Sequence, residues 1–324
     1  MQSLDFYREA FLSFLAQRTV PKAPEGLYDP IAYILQLGGK RLRPVLTLVA
    51  TELFEVDYNK ALPAAMAVEV FHNFSLVHDD IMDEAPLRRG QPTVHEKWDI
   101  NTGILSGDLM LINAYECFLN YEGTMLRALF ELFNKTAVAV CEGQQYDVDF
   151  EDRMDVTLAE YLKMIEYKTA VLIAAALKMG AIVGEAAPKD QELIYEFGRN
   201  LGIAFQLQDD FLDAFGDPKT FGKQVGGDII ENKKTFLYLK AIEGSTPENK
   251  ALLEQLFVSH PEDPTTKVAT VKQIFESSGA MEATKVEIAK YTEKAFAALE
   301  AIEAKHDGKQ LLQQFGEALM VRLS

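Results

Sequence analysis

The amino-acid sequence predicts an all-α protein built as one large domain. Apolar residues recur at three- and four-residue steps along nearly the whole chain, the period of an amphipathic helix. Alternating apolar runs flanked by turn residues, the mark of strands, are absent. Several periodic runs reach 20 residues or more, which as helices would span ~30 Å, the scale of a single bundle. No Pro-, Gly- and Ser-rich linker divides the 324 residues, so residues 1–324 read as a single domain.

Taken in order, helical periodicity covers Leu4 to Ala16, Pro30 to Leu37, Pro44 to Phe54, Ala61 to Asp83 and Gly103 to Leu119. It continues over Met125 to Glu142, Leu158 to Val183, Gln191 to Phe215, Thr235 to Ile242 and the C-terminal third. The main breaks are expected at Gly38-Gly39, Glu84 to Thr93, Gly216 to Gly227 and Ser259 to Pro264. The first three carry clustered Lys or Arg, and the last reads as a plain connector.

A hydrophobic fraction of 48% and a charged fraction of 25% match an ordinary globular protein with ample core material. The net charge of −17 argues against nucleic acid or an anionic membrane as partners. Cys117 and Cys141 form no zinc pattern and suit a reducing compartment. The N-terminal residues lack the basic start and apolar core of a signal peptide. No apolar run is long enough to span a bilayer, and the C-terminal residues lack a prenylation cysteine. The cytoplasm is therefore the expected compartment.

Two copies of one carboxylate cluster carry the chemistry: Asp79-Asp80-Ile81-Met82-Asp83 and Asp209-Asp210-Phe211-Leu212-Asp213. A helix puts residues four apart on one face, so Asp79 and Asp83 project together, as do Asp209 and Asp213. Both clusters sit in apolar sequence. At ~4 Å and an effective dielectric of ~20, each like-charge pair there costs about 4 kcal/mol. A single such cluster would read as a solvated helix face; two with matching spacing and apolar flanks call for a cation. Oxygen donors without Cys or His suit a hard ion, and Mg²⁺ typically binds one or two carboxylates plus substrate phosphates.

The positive charge is equally ordered. In Gly38-Gly39-Lys40-Arg41-Leu42-Arg43-Pro44 the glycines suit a helix end and Pro44 the first turn of the next helix. Cations crowded at a helix N-terminus are unfavourable by about 0.3–1 kcal/mol each, unless an anion lies between them and the free N–H groups. Arg88-Arg89-Gly90 follows the first cluster, and Gly222-Lys223 through Lys233-Lys234-Thr235 follows the second. Each acid cluster thus has a basic loop close downstream, acid for a metal and base for phosphate. His72 lies seven residues before Asp79, two turns away on the same face; His78 and His95 lack that alignment and read as structural. Lys168-Thr169 stand in a helix otherwise apolar from Val171 onward, and a buried cation needs a partner.

Together these residues resemble the trans-prenyl diphosphate synthases of the polyprenyl synthetase family. The resemblance runs from Gly38 to Thr235 through GGKRLRP, HDDIMD, LRRGQPT, EGQQYD, KTA, FQLQDD and GKQVGGD. It implies an all-α bundle around a deep central cavity, a homodimer, and Mg²⁺ with three ions per site. It also implies that Asp79, Asp83, Asp209 and Asp213 hold those ions, with Asp80 and Asp210 supporting. By the same resemblance Arg88, Lys168, Lys223 and Lys233 grip an allylic diphosphate, while Lys40, Arg43, His72 and Arg89 bind isopentenyl diphosphate. Thr169 and Gln206 border the carbocation. One departure is Phe236-Leu237 after Lys233-Lys234-Thr235, where many relatives have Leu-Pro.

The implied reaction ionises an allylic diphosphate, adds isopentenyl diphosphate to the cation and releases a proton, with no side-chain nucleophile. The growing tail should run along the helix upstream of Asp79. Ser75, one turn up, is small; Phe74 flanks the path; Phe71 lies two turns up, about 12 Å at 1.5 Å per residue. These positions predict a short C15 to C20 product. The resemblance, through the missing two-residue insertion in the first cluster, favours geranylgeranyl over farnesyl. A class I terpene cyclase would need no second diphosphate site. A non-catalytic regulatory subunit would be expected to have lost part of an acid cluster, and a di-iron bundle would need Glu-x-x-His pairs that the chain lacks.

Overall fold

The computed structural model describes residues 1–216 and 226–320. In chain order the first elements are α1 (Leu4–Ala16), α2 (Glu25–Gln36), α3 (Leu42–Leu53), α4 (Leu62–Met82), β1 (Leu87–Arg88) and β2 (Gln91–Pro92). They are followed by α5 (Val94–Lys97), α6 (Ile100–Glu116), α7 (Gly123–Asp152), α8 (Leu158–Ile165), α9 (Val171–Val183) and α10 (Pro188–Phe215). The last are α11 (Gly227–Ile230), α12 (Phe236–Gly244), α13 (Pro247–Leu256), α14 (Thr265–Ser277), α15 (Ala280–Glu300) and α16 (His306–Met320). The all-α class expected from the periodicity is thus the fold, with one short hairpin added.

Three local departures have physical causes. Helix α2 begins at Glu25 and carries Pro30 inside it, because burying Pro30, Ile31, Ile34 and Leu35 on one face outweighs one lost backbone bond. The hairpin β1–β2 pairs Leu87 with Pro92 and Arg88 with Gln91. Its strands are too short for alternation to be read. The run expected as one helix from Leu158 to Val183 contains a π-helical turn at Glu166–Ala170, between α8 and α9.

The chain divides into two compact units. The first comprises Met1–Lys135, Ala175–Tyr195 and Ile302–Leu311. Helix α4 is its centre, packed on α3 and α6. Phe71, Phe118, Phe133 and Leu46 are fully enclosed there, and burying each contributes about 1.5–3 kcal/mol. A Cβ on Gly107 would come within 2.2 Å of the His78 ring, and one on Gly103 within 2.8 Å of Ile81. The two glycines therefore let α6 lie directly against the last turns of α4, which carry the first acid cluster.

The second unit comprises Thr136–Ala174, Glu196–Ala301 and Leu312–Ser324. Its core gathers Tyr161, Leu207, Phe211, Phe236, Tyr238 and Phe275. Helix α12 packs on α15 and α14, and α14 also contacts α11. Among the described residues no helix is long and apolar enough to cross a membrane.

Candidate active site

Asp79, Asp80 and Asp83 close α4, with Asp83 as its C-cap. Asp209, Asp210 and Asp213 lie in the final turns of α10. The carbonyl end of a helix is its negative pole and disfavours each carboxylate by about 0.3–1 kcal/mol. That penalty adds to the repulsion within each cluster. Both clusters split in the same way. The middle residues are buried, Asp80 at 1% and Asp210 at 8% exposure, whereas Asp79, Asp83, Asp209 and Asp213 lie more open to solvent. Asp80 Oδ1 accepts from Arg88 Nε at 2.9 Å, while its Oδ2 is enclosed without a hydrogen-bond partner. Asp210 accepts from Gln206 Nε2 at 2.9 Å and from the Tyr161 hydroxyl. Burial pushes both carboxyls above their usual range, against the pull of Arg88 on Asp80 and of Tyr161 and Gln206 on Asp210.

In the first unit, the predicted isopentenyl diphosphate residues Lys40, Arg43, His72 and Arg89 line one cavity of about 460 Å³. The α2–α3 connection reaches it through left-handed residues Gly38, Gly39 and Arg41, with φ of 80°, 116° and 51°. Gly39 has a second reason to be glycine, since a Cβ there would stand 3.0 Å from the Arg89 guanidinium carbon. Arg89 and Gly90 form the tip of the hairpin, both with positive φ as a type I′ turn requires. This turn sends Arg88 back to Asp80 and Arg89 to the Gly38 carbonyl, at 2.5 Å.

Arg41 lines the same cavity, but its charge is already paired. It is buried and bonded to Glu69 and to the Leu35 carbonyl, and Glu69 also accepts from Asn73 at 2.9 Å. Arg43 Nη1 stands 3.1 Å from His72 Nε2. A guanidinium only donates, so Nε2 accepts and the ring is neutral. Burial, then Arg43, Arg89, Arg88 and Arg41, hold the His72 imidazole well below its usual pKa. Burial and Arg89, against the pull of Glu69, lower Arg43 to about 10. Arg43 and Arg89 thus crowd positive charge around a neutral imidazole, which a polyanion would relieve.

In the second unit a cavity of about 130 Å³ is lined by Lys168, Thr169, Gln206, Asp210, Lys233 and others. The π turn carries Lys168 and Thr169 to it, a frequent use of such turns. Lys168 Nζ donates to Asp147 at 2.5 Å, and Thr169 Oγ1 lies 3.2 Å from Gln206 Oε1. Thr169, Gln206, Asp210 and Tyr161 thus form one hydrogen-bonded chain. Lys233 pairs with Glu231 at 2.9 Å; burial opposes its charge, but Glu231 and Asp228 raise its pKa. Asp228 donates its N–H to Asp213 Oδ2 at 3.0 Å. Burial, then Asp210 and Asp213, push the Asp228 carboxyl well up. Lys223 lies outside the described residues.

Of the expected chain-length residues, Phe71 is enclosed, with its ring 5.5 Å from Phe74 and 5.2 Å from Phe133. Phe74 packs edge-on against His78 at 4.8 Å, and Ser75 donates to the His72 carbonyl at 2.8 Å. Asp147, Tyr161, Asp228 and Glu69 were not marked as site residues by the sequence, yet each bonds or crowds one that was. Gly143 in the EGQQYD block was the one available signal. A Cβ there would stand 2.4 Å from the Lys168 backbone nitrogen.

The family model described as polyprenyl synthetase matches residues 24–276. A geranylgeranyl diphosphate synthase of Methanosarcina mazei is 45% identical over 68% of this chain and 68% of its own. A geranylfarnesyl diphosphate synthase of Natronomonas pharaonis is 36% identical over 97% of this chain and 95% of its own. A crystal structure of a geranylgeranyl pyrophosphate synthase superposes with a TM-score of 0.95 at 52% identity, over 99% of both chains.

Proposed function

The chain belongs to the polyprenyl synthetase family, a family of trans-prenyltransferases, and from that premise we propose that it condenses isopentenyl diphosphate head-to-tail with an allylic diphosphate. The product is a short-chain prenyl diphosphate, with the C20 geranylgeranyl compound favoured over C15 farnesyl. The relatives named for geranylgeranyl and geranylfarnesyl synthesis support the short-chain range. The observation that carries the reading is the cavity in which Lys40, Arg43, neutral His72 and Arg89 converge. An enzyme that merely ionised one diphosphate would not need it.

Lys40, Arg43, His72 and Arg89 hold the diphosphate of the isopentenyl substrate, with His72 donating from the nitrogen turned away from Arg43. Lys168, Lys233, Lys223 and Arg88 hold the allylic diphosphate and oppose the charge that grows on it as the C–O bond breaks. The carboxylate set fits magnesium: it offers oxygen donors alone, crowded at helix ends that disfavour them. Among the described residues no three carboxylate, imidazole or thiol side chains gather closely enough to hold an ion by themselves. Asp79, Asp83, Asp209 and Asp213 would hold three Mg²⁺, with Asp80 and Asp210 steadying the clusters. When bound, the metal supplies charge neutralisation to the departing diphosphate. Thr169 and Gln206 border the allylic cation, and the departing diphosphate takes the proton. Asp80, pinned by Arg88, and Asp210, pinned by Tyr161 and Gln206, keep their clusters in register.

The tail grows past Ser75 toward Phe74 and Phe71. A homodimer and a cytoplasmic location complete the proposal. The dimer is supported by Ile104, Leu105 and Ile112, which leave an exposed apolar stripe along α6. Incubation with labelled isopentenyl diphosphate and dimethylallyl, geranyl or farnesyl diphosphate tests the reading. Labelled C20 product is expected, and absence of label from all prenyl products would overturn it.

A further inference from the structure

Lys267 is buried at 3% exposure in the first turn of α14 with no carboxylate in its ion-pair reach among the described residues. Its ammonium donates instead to three neutral oxygens: Asn232 Oδ1 at 2.5 Å, the Ser259 carbonyl at 3.0 Å and the Ile230 carbonyl at 3.4 Å. The position is poor for a cation on two counts. Burial costs it hydration, and the N-terminal end of α14 is that helix's positive pole. Burial accordingly lowers its pKa. A lysine kept there despite both effects is holding something, and its partners say what. Two of the three oxygens belong to the segment from Gly226 to Thr235, which carries Asp228 and Lys233.

That segment is clamped a second time from the same helix. Gly226 has a φ of 88°, and a Cβ on it would approach Val268 Cγ1 to 2.8 Å. Asn232 is itself left-handed at φ 60°, a conformation asparagine tolerates. Its Nδ2 stands 3.3 Å from His260 Nε2. The Lys233 N–H then bonds the Asp228 carbonyl at 2.9 Å, and the Asp228 N–H bonds Asp213. The chain of contacts runs Lys267, Asn232, Lys233, Asp228, Asp213, with no gap.

We propose that Lys267, acting through Asn232, is a positioning residue for allylic diphosphate binding, fixing the arm that sets Lys233 and Asp228 beside the second acid cluster. The inference rests on the functional reading above and deepens it. Lys267 touches neither substrate nor metal ligand; it removes the freedom of the loop that does.

The test compares wild type, Lys267→Met and Asn232→Gly. Glycine keeps the left-handed backbone and deletes only the side-chain link. Steady-state KM is measured separately for the allylic and isopentenyl diphosphates, with the melting temperature and the affinity for inorganic pyrophosphate plus Mg²⁺ by calorimetry. Loss of a supporting contact of this kind costs about 10–100-fold. The expected result is an allylic KM and a pyrophosphate Kd raised by that factor in Lys267→Met and by less in Asn232→Gly, with the isopentenyl KM within about twofold. Lys267→Arg should recover part of the loss, since it keeps a donor for the same oxygens. A lowered melting temperature with both KM values and the pyrophosphate Kd unchanged would overturn the proposal, as would equal rises in the two KM values. If Lys267→Met does not fold, Asn232→Gly yields the same opposed outcomes. If wild type incorporates no isopentenyl label, the functional reading has failed, and the calorimetric arm still decides the clamp.

Discussion

Replacing Gly143 by Ala tests how the π turn delivers Lys168. The new Cβ would lie 2.4 Å from Lys168 N, 2.7 Å from Tyr167 C and 2.9 Å from Lys168 Cα. All three are backbone atoms, so no side-chain rotation can relieve the clash. Ordinary contact begins near 3.4 Å, so α7 or the π turn must retreat by roughly 1 Å. Overpacking of that kind costs about 1–3 kcal/mol. A 1 Å misplacement of a catalytic group costs on the order of 100-fold in rate. Lys168 also loses register with Asp147, now 2.5 Å away. We expect Gly143→Ala to lower kcat about 100-fold and to lower the melting temperature. Gly26→Ala is the control: it has nothing within 4 Å and an ordinary backbone, so it should be neutral or slightly stabilising. Labelled-substrate turnover and calorimetric melting read both. A Gly143→Ala enzyme within about threefold of wild type would show that the close approach does not position Lys168.

Removing the carboxylate of Glu69 by Glu69→Ala strands buried Arg41 without a counter-ion and should cost about 3–5 kcal/mol, read by chemical denaturation. The neutral, depressed His72 predicts a pH effect. Below pH ~6.5 an unfolded chain binds a proton that the folded one refuses, so stability is full above that pH and falls as the pH drops from there. The loss approaches about 1.4 kcal/mol per pH unit. It should be smaller in His72→Gln across pH 7.5 to 5.5, and an identical slope in both proteins would refute it. The double variant Phe71→Ala, Phe74→Ala opens the aromatic end of the tail path and should shift products above C20 by chromatography. An unchanged length distribution removes these rings as stoppers.

The sequence was informative where chemistry repeats along the chain. Leu4–Ala16 was bounded as the structure has it, and α4 and α10 were placed with their acid clusters at the ends. Lys40, Arg43, His72 and Arg89 do meet in one cavity. What escaped was what one extra residue or a distant partner decides. A π turn adds a residue to a helical turn, but the helix that follows it, Val171–Val183, is apolar on nearly every face, so the slip in period leaves no mark. Strands of two residues cannot alternate, so the hairpin that separates the paths of Arg88 and Arg89 was read as loop. Arg41 looked equivalent to Lys40 and Arg43, because only the fold brings Glu69 to it. Tyr161 and Asp210 are 49 residues apart, and Lys267 and Asn232 are 35 apart, distances over which no local pattern predicts a bond.

The hairpin tip and the α2–α3 loop gather guanidinium and ammonium groups around an uncharged imidazole, in a chain whose overall charge is −17. Such an island is visible to a ligand only at short range, since counterions damp its field within about 8 Å at physiological ionic strength. A small ligand with several charges on adjacent phosphorus atoms can enter that range whole. A long polyelectrolyte would also meet the field of a chain whose net charge is −17 and should be disfavoured. Capture of the small diphosphate should therefore weaken steeply with added salt, and discrimination against extended anions arises from the same placement.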